Sequence, residues 1–180
     1  MKLLELKPIL ESLLFSSKEP LTIKKIQAAL LPEMSANALE IKASLKALKQ
    51  EYESQERAFE LTEIAGGFLL QTRPCFSHYI QRLNTKTPKK DSLSPSILEV
   101  LAIIAYRQPI TKIEIEAIRG VDCSYALNSL LEKGYICNEK KLEAPGNPSL
   151  YETTSVFLQV FGFKNLKELP PISEPSLTTS

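Results

Sequence analysis

Tryptophan is absent from this 180-residue chain, and histidine occurs once, as His78. That histidine has no cysteine at ligand spacing, so a zinc centre is not expected. Glycine occurs only six times and nowhere forms a phosphate-cradling loop. The three cysteines, Cys75, Cys123 and Cys137, are an odd number at wide spacings. That argues against a disulfide framework and fits a reducing cytoplasm. Cys123 and Cys137 sit among apolar neighbours and read as small buried hydrophobes. Excess charge is missing too: formal net charge is +1, so no bulk field draws the chain to nucleic acid or anionic lipid. No run approaches the ~18 uninterrupted apolar residues that a membrane span needs. Glu5 and Lys7 break the early apolar run, so a signal peptide is not expected. No nucleophile elbow occurs, and the carboxylates are scattered over helix faces. Neither a catalytic constellation nor a cofactor is expected.

What remains is ordinary globular composition, 43% apolar and 24% charged, at a length suited to one domain or two small ones. The sequence carries a crude internal repeat. “ILESLLFSS” followed by “KEPLTIKKIQAAL” (18–30) parallels “ILEVLAIIAY” followed by “RQPITKIEIEAIR” (107–119). Each has an apolar helix, a proline, an aliphatic residue, a threonine and a second helix, which suggests two copies of one supersecondary unit.

The second copy is the clearer. Ser94-Pro95 is an N-cap with proline at the first helical position. The helix that follows is apolar almost all round, which predicts a central buried helix. Pro109 stops it by forcing Gln108 away from helical angles. Thr111 and Glu114 then form a capping box, Ile115 and Ile118 give the next helix an apolar face, and Gly120 is its C-cap. Cys123, Leu127, Leu130 and Leu131 make the core stripe of a third helix ended by Gly134. “YICNEKKL” and “SLYETT” read as strands around a type II turn at Pro145-Gly146. Three helices and a hairpin make a winged helix.

The first copy repeats the order. A helix spans about Leu3 to Ser16, and Thr22 caps the second. Ile41, Leu45, Leu48 and Tyr52 stripe the third, Phe59 and Leu61 mark a strand, and Gly66-Gly67 turns the chain into “FLLQT”. Pro74 opens a further helix with Phe76, Ile80 and Leu83 on one face. “NTKTPKKDSLS” reads as a linker, “SVFLQVFGF” as a short helix, and “SEPSLTTS” as a disordered end.

A winged helix invites a DNA reading, but fold alone does not decide function. A groove-reading helix needs exposed Arg, Lys, Asn or Gln with basic neighbours. The candidate, “VDCSYALNSLLEKG”, sets Asp122 and Glu132 against Lys133 and offers only Asn128 to a base. The one basic cluster, Lys86, Lys89 and Lys90, lies in the linker. At most weak nonspecific DNA binding is expected. A DNA-binding transcription regulator remains the alternative.

“LAIIAYRQPITKIEIEAIRGV”, then Gly134, “PGNPSLYETT” and “FLQVFGFKNLKELPPI”, resembles the segregation and condensation protein B (ScpB) family. “ILESLLFSSKEPLT” and “GGFLLQT” carry the resemblance into the first half, so that it covers about residues 5–172. Members often have a basic residue where Asn147 stands. The resemblance implies a mainly α protein with small hairpins and two tandem winged helices. It implies a non-enzymatic accessory subunit of the bacterial condensin that dimerises with itself, binds the kleisin subunit (ScpA), and reaches the SMC ATPase only through it. The expected location is the cytoplasm, at the nucleoid, with no membrane contact. The domains are then 1–84 (winged helix, dimerisation), 85–93 (linker), 94–165 (winged helix) and 166–180 (tail).

Partner-binding candidates are Tyr106, Ile110 and Leu131, although Leu131 also lies on the core stripe and Ile110 can pack beneath the turn. Arg107 and Arg119 either pair internally with a carboxylate such as Glu99 or face a partner. Pro109, Thr111, Glu114, Gly120, Gly134, Pro145 and Gly146 are read as caps and turns.

Overall fold

A computed structural model describes residues 6–83 and 93–171. By internal contacts the chain falls into two units, Met1–Ser92 and Leu93–Ser180. The expected linker, apart from Leu93, lies outside the described residues, as do its three lysines and residues 172–180 of the tail.

In the first unit α1 (Leu6–Ser16), α2 (Ile23–Leu30) and α3 (Ala38–Ser54) precede an antiparallel hairpin of β1 (Phe59–Ile64) and β2 (Gly67–Thr72). Thr22 accepts from Lys25 N and starts α2 as its capping chemistry dictates. α3 begins with a full capping box of Asn37 and Glu40, which the sequence reading did not identify. The stripe Ile41, Leu45, Leu48 and Tyr52 is buried against Leu10, Leu14, Ile26 and Leu30. Tyr52 closes that core edge-on to Phe59, at 4.9 Å between centroids. Its hydroxyl donates to Glu11 Oε1 at 2.7 Å. Burial, with the Glu11 carboxylate beside it, raises the phenol above its ordinary range.

The hairpin turn differs from expectation by one residue. Ile64 pairs with Gly67, so the loop is Ala65-Gly66, at φ 51° and 70°. Positive φ at both central residues is the primed turn that suits strand twist. Gly67 is instead the first residue of β2, and it is glycine for a different reason. A Cβ there would lie 3.0 Å from Pro20 C, Pro20 Cβ and Leu21 C. That close approach permits the Leu21–Phe68 bridge, two backbone hydrogen bonds of 2.9 Å. After the hairpin a 3₁₀ turn (Pro74–Phe76) leads into α4 (Ser77–Leu83). The expected apolar face of α4 is only partly covered: Ile80 is half-buried, while Phe76 is exposed and Leu83 is 83% exposed.

The second unit runs α5 (Pro95–Arg107), β3 (Ile110–Thr111), α6 (Lys112–Arg119), α7 (Ser124–Glu132), β4 (Ile136–Lys141), β5 (Ser149–Thr153) and α8 (Ser155–Phe161). Both units are winged helices. The sheet here has three strands in the order β3-β5-β4. β3 is too short to have shown in the sequence pattern. It pairs Ile110 with Tyr151 and Thr111 with Leu150. The core collects Ile97, Val100, Leu101 and Ile104 of α5, Ile115 of α6, Cys123, Leu127 and Leu130 of the α7 region, Ile136 and Phe157. Cys137 is only half-buried. Ser94 holds N-cap angles, but its hydroxyl makes no cap bond. Gly120 caps α6 at φ 72°, and its N–H donates to Glu116 O at 2.7 Å. Asn147 N donates to Ala144 O at 2.8 Å with Gly146 at φ 85°, which is the type II turn expected at Pro145-Gly146.

The one-residue shift of the hairpin has measurable consequences. Gly67→Ala should destabilise the chain by about 1–3 kcal/mol, because backbone and a proline ring must move to admit one methyl group. Ala65→Gly should stabilise by about 0.5–1 kcal/mol, since alanine is strained at positive φ and glycine is not. Urea denaturation of both variants checks this. The opposite ranking would restore the turn to Gly66-Gly67.

Candidate functional site

α5, expected as a central buried helix apolar almost all round, is buried on one face only. Its inner face carries Ile97, Val100, Leu101, Ile104 and Ala105 into the core. Its outer face leaves Leu98, Ala102 and Tyr106 exposed. These three are spaced four residues apart, so they form one stripe, about 12 Å long at ~1.5 Å rise per residue. A small unit has elements enough to cover one face of such a helix.

The stripe lies in the floor of two apolar hollows. One, of about 260 Å³, is walled by Leu98, Ala102 and Tyr106 on one side and by Phe157, Phe161, Phe163, Leu169 and Pro170 on the other. Its second wall is built by α8 and the chain after it. Thr154 caps α8 by accepting from Val156 N, and Gly162 ends it at φ 76°. The returning segment is pinned where the Tyr106 hydroxyl donates to Pro170 O at 2.6 Å. The second hollow, of about 340 Å³, lies across Tyr106 and is lined by Ala102, Ile103, Tyr106, Arg107 and Ile118. Tyr106 is thus a ridge between two apolar depressions, 38% exposed and tethered at its tip.

The sequence-predicted residues separate on inspection. Tyr106 and Arg107 line the hollows. Ile110 is 4% exposed, because pairing in β3 turns it into the core, although it contributes to the lining of a hollow beside Arg107. Leu131 is half-buried against the same core. Arg119 is internal, its side chain 13% exposed. It donates to Glu99 Oε2 at 2.8 Å and to Ser96 Oγ at 3.2 Å, which ties the end of α6 to the start of α5. Pro109, Thr111 and Glu114 hold the turn beneath Arg107. Thr111 is buried, its Oγ1 accepts from Glu114 N at 3.3 Å, and Glu114 Oε2 accepts from Thr111 N at 2.8 Å. Gly134 ends the α7 turn at φ 68°.

Three residues of the site were missed. Ile118 was read as core partner to Ile115 but is 55% exposed in the second hollow. Leu98 and Ala102 belong to a helix whose nearly all-round apolar pattern predicts a central buried element. Their four-residue spacing to Tyr106 was the available signal. Gln108 is a further structural residue. Its Oε1 accepts from Thr153 N at 2.6 Å and from Thr153 Oγ1 at 3.0 Å, which locks the end of α5 to β5.

The face that reads DNA in many winged helices is differently equipped. The exposed side of α7 shows Tyr125, Asn128 and Glu132, with Asp122 just before it. Lys112 is held by Ser124 at 2.6 Å and by Glu116 and Asp122 at 3.4 Å. On the wing, Lys140 is paired with Glu152 at 2.8 Å. No free cation on α7 faces a phosphate. Among the described residues no group of three or more His, Cys, Asp or Glu is placed to hold a metal. Among them, no helix is long and apolar enough to cross a membrane.

The family described as segregation and condensation complex subunit ScpB matches residues 8–172. Segregation and condensation protein B of Symbiobacterium thermophilum is 49% identical over 176 residues, 95% of this chain and 77% of that one. Its counterpart in Carboxydothermus hydrogenoformans is 45% identical over 170 residues, 94% and 89% of the two chains. A solved dimer of the ScpB N-terminal domain complexed with ScpA peptide is 36% identical and covers 43% of this chain and 91% of that chain. Its TM-score is 0.38, too low to support inference about geometry.

The cap beneath the site predicts a pH dependence. The bonds from Thr111 hold the Glu114 carboxyl below the ordinary carboxylate value. A lowered folded value adds stability above the unfolded pKa of about 4.3, and that stability is lost as pH falls through the folded value. Urea midpoints followed from about pH 7 to about pH 3 should fall more steeply for the wild type than for Glu114→Gln. Parallel curves would remove the cap from the acid response.

Proposed function

Because the chain belongs to the ScpB family of condensation-complex subunits, we propose that it is a non-catalytic adaptor whose second unit binds a helical segment of the kleisin subunit, ScpA. Through that subunit it shapes engagement of the SMC ATPase at the nucleoid. The observation that carries this reading is the uncovered stripe Leu98, Ala102 and Tyr106, with an apolar hollow on each side. A helix laid in a groove presents apolar anchors at i, i+3 or i+4, and i+7, and a stripe of this length accommodates two or three of them. A DNA-binding regulator needs cations on the exposed face of α7, and that face carries Asp122 and Glu132 instead.

The first unit is proposed as the dimerisation unit. The α3 stripe is fully covered within its own unit and contributes nothing to that reading. The support is elsewhere, in Phe15, Leu39, Tyr79 and Leu83, all exposed on the first unit. Light scattering of the full chain should return about twice the 20.1 kDa monomer mass, and a monomer at tens of micromolar would end the proposal.

Calorimetry of the full chain against the recombinant kleisin subunit of the same genome tests the main reading. Wild type should bind, and Ala102→Arg should weaken binding by about 2 kcal/mol or more, since it places a long charged side chain in the groove floor. Ala102 is exposed, so this variant should keep the wild-type melting temperature. No binding by the wild type would refute the function, and unchanged binding by the variant would move the site elsewhere.

A further inference from the structure

Building on the groove reading above, we infer that the segment seated there carries a carboxylate beside its apolar stripe, and that Arg107 pairs with it. Arg107 occupies the last turn of α5 and is exposed. Its side chain borders both the hollow of Ala102, Tyr106 and Ile118 and an adjoining one lined by Pro109, Glu114 and Ala117. It makes no hydrogen bond or ion pair among the described residues. The neighbouring cations do not share that condition. Arg119 is taken by Glu99 and Ser96, and Lys112 by Glu116, Asp122 and Ser124. Glu114, the carboxylate nearest in the lining, spends Oε2 on two bonds from Thr111, and it forms no ion pair with the guanidinium.

An arginine at a helix C-terminus also interacts with the helix dipole, but lysine serves that purpose as well. The guanidinium differs in being a planar fork that takes a carboxylate bidentately and is weakly hydrated, which suits the edge of an apolar groove. An apolar floor with one free arginine at its rim is complementary to an amphipathic helix whose stripe is bordered by Asp or Glu. A basic or purely apolar segment would leave Arg107 desolvated without a partner.

The test uses the full chain and the recombinant kleisin subunit of the same genome, with calorimetry at about 50 mM and about 500 mM salt, where screening differs strongly. Arg107→Glu and Arg107→Gln should each bind at least about tenfold more weakly at low salt, and the loss should shrink at high salt. Arg107→Lys, which keeps the charge but not the fork, should fall between them and wild type. Replacing the matching kleisin carboxylate by lysine should restore affinity for Arg107→Glu. If Arg107→Glu and Arg107→Gln bind like wild type while Ala102→Arg binds weakly, the groove stands and the charge pairing is wrong. If Ala102→Arg has no effect, or wild type does not bind, the groove reading fails and this inference fails with it.

Discussion

Four residues between Arg107 and Lys112 must end one helix, supply a strand and start another, and the second unit is organised by that constraint. Proline ends α5 and removes a donor that the strand does not need. Gln108 bonds across to Thr153, and Ile110 and Thr111 pair with β5. Thr111 then turns its buried hydroxyl to the first turn of α6, and Glu114 answers it. The Gln108 amide, the Thr111 hydroxyl and amide and the Glu114 carboxylate all find partners there, as polar groups beside a core require. The first unit meets the same constraint with less. It uses a single bridge between Leu21 and Phe68 and a glycine at position 67 to let the strands approach.

Once the turn fixes α5 by its inner face, the outer face has to go somewhere. α8 and the segment ending at Pro170 approach it from one side and α6 from the other, but neither closes over it. Single exposed apolar residues are normal on a folded surface, whereas a contiguous stripe flanked by hollows is the kind of surface on which the proposed groove rests. The Tyr106–Pro170 hydrogen bond matters here because it holds the returning segment as a wall of the groove. A preformed wall reduces the ordering cost that binding must overcome.

The parts legible in the sequence were those governed by local chemistry. Thr22, Thr111 with Glu114, Gly120, Gly134 and the Pro145-Gly146 turn all act through residues within a few positions, so the spacing of residue types was enough. The stripes Ile41 to Tyr52 and Cys123 to Leu130 were legible because burial on one face imposes helical period. Apart from the Asn37–Glu40 capping box, a local signal that went unread, what was not legible depended on tertiary neighbours. β3 is two residues long and carries no period. Gly67 is required by Pro20, some forty-seven positions away in sequence, and Ile110 is core because β5 pairs with it. The groove itself was misread for the same reason. An apolar helix surface looks alike whether a core covers it or a partner does, and only the arrangement of α6 and α8 distinguishes the two.

The electrostatics of the second unit follow from how its charges are consumed. Lys112, Arg119 and Lys140 are each paired with a carboxylate of the same unit, which leaves Lys141 as an exposed cation of the wing beside Glu139 and Glu143. A winged helix with its cations paired in this way has fewer of them free for a phosphate backbone, and fold by itself does not decide function. Apolar contact then supplies binding energy, but it is poor at fixing register. A helix sliding by one turn in an apolar groove keeps much the same anchors, because positions i and i+4 share a face. A single cation at one end of the stripe removes that degeneracy, since a slipped helix carries its carboxylate about 6 Å away from Arg107 and leaves both charges unpaired at the edge of an apolar surface. One unpaired arginine is therefore enough to turn an apolar face into a register-specific one.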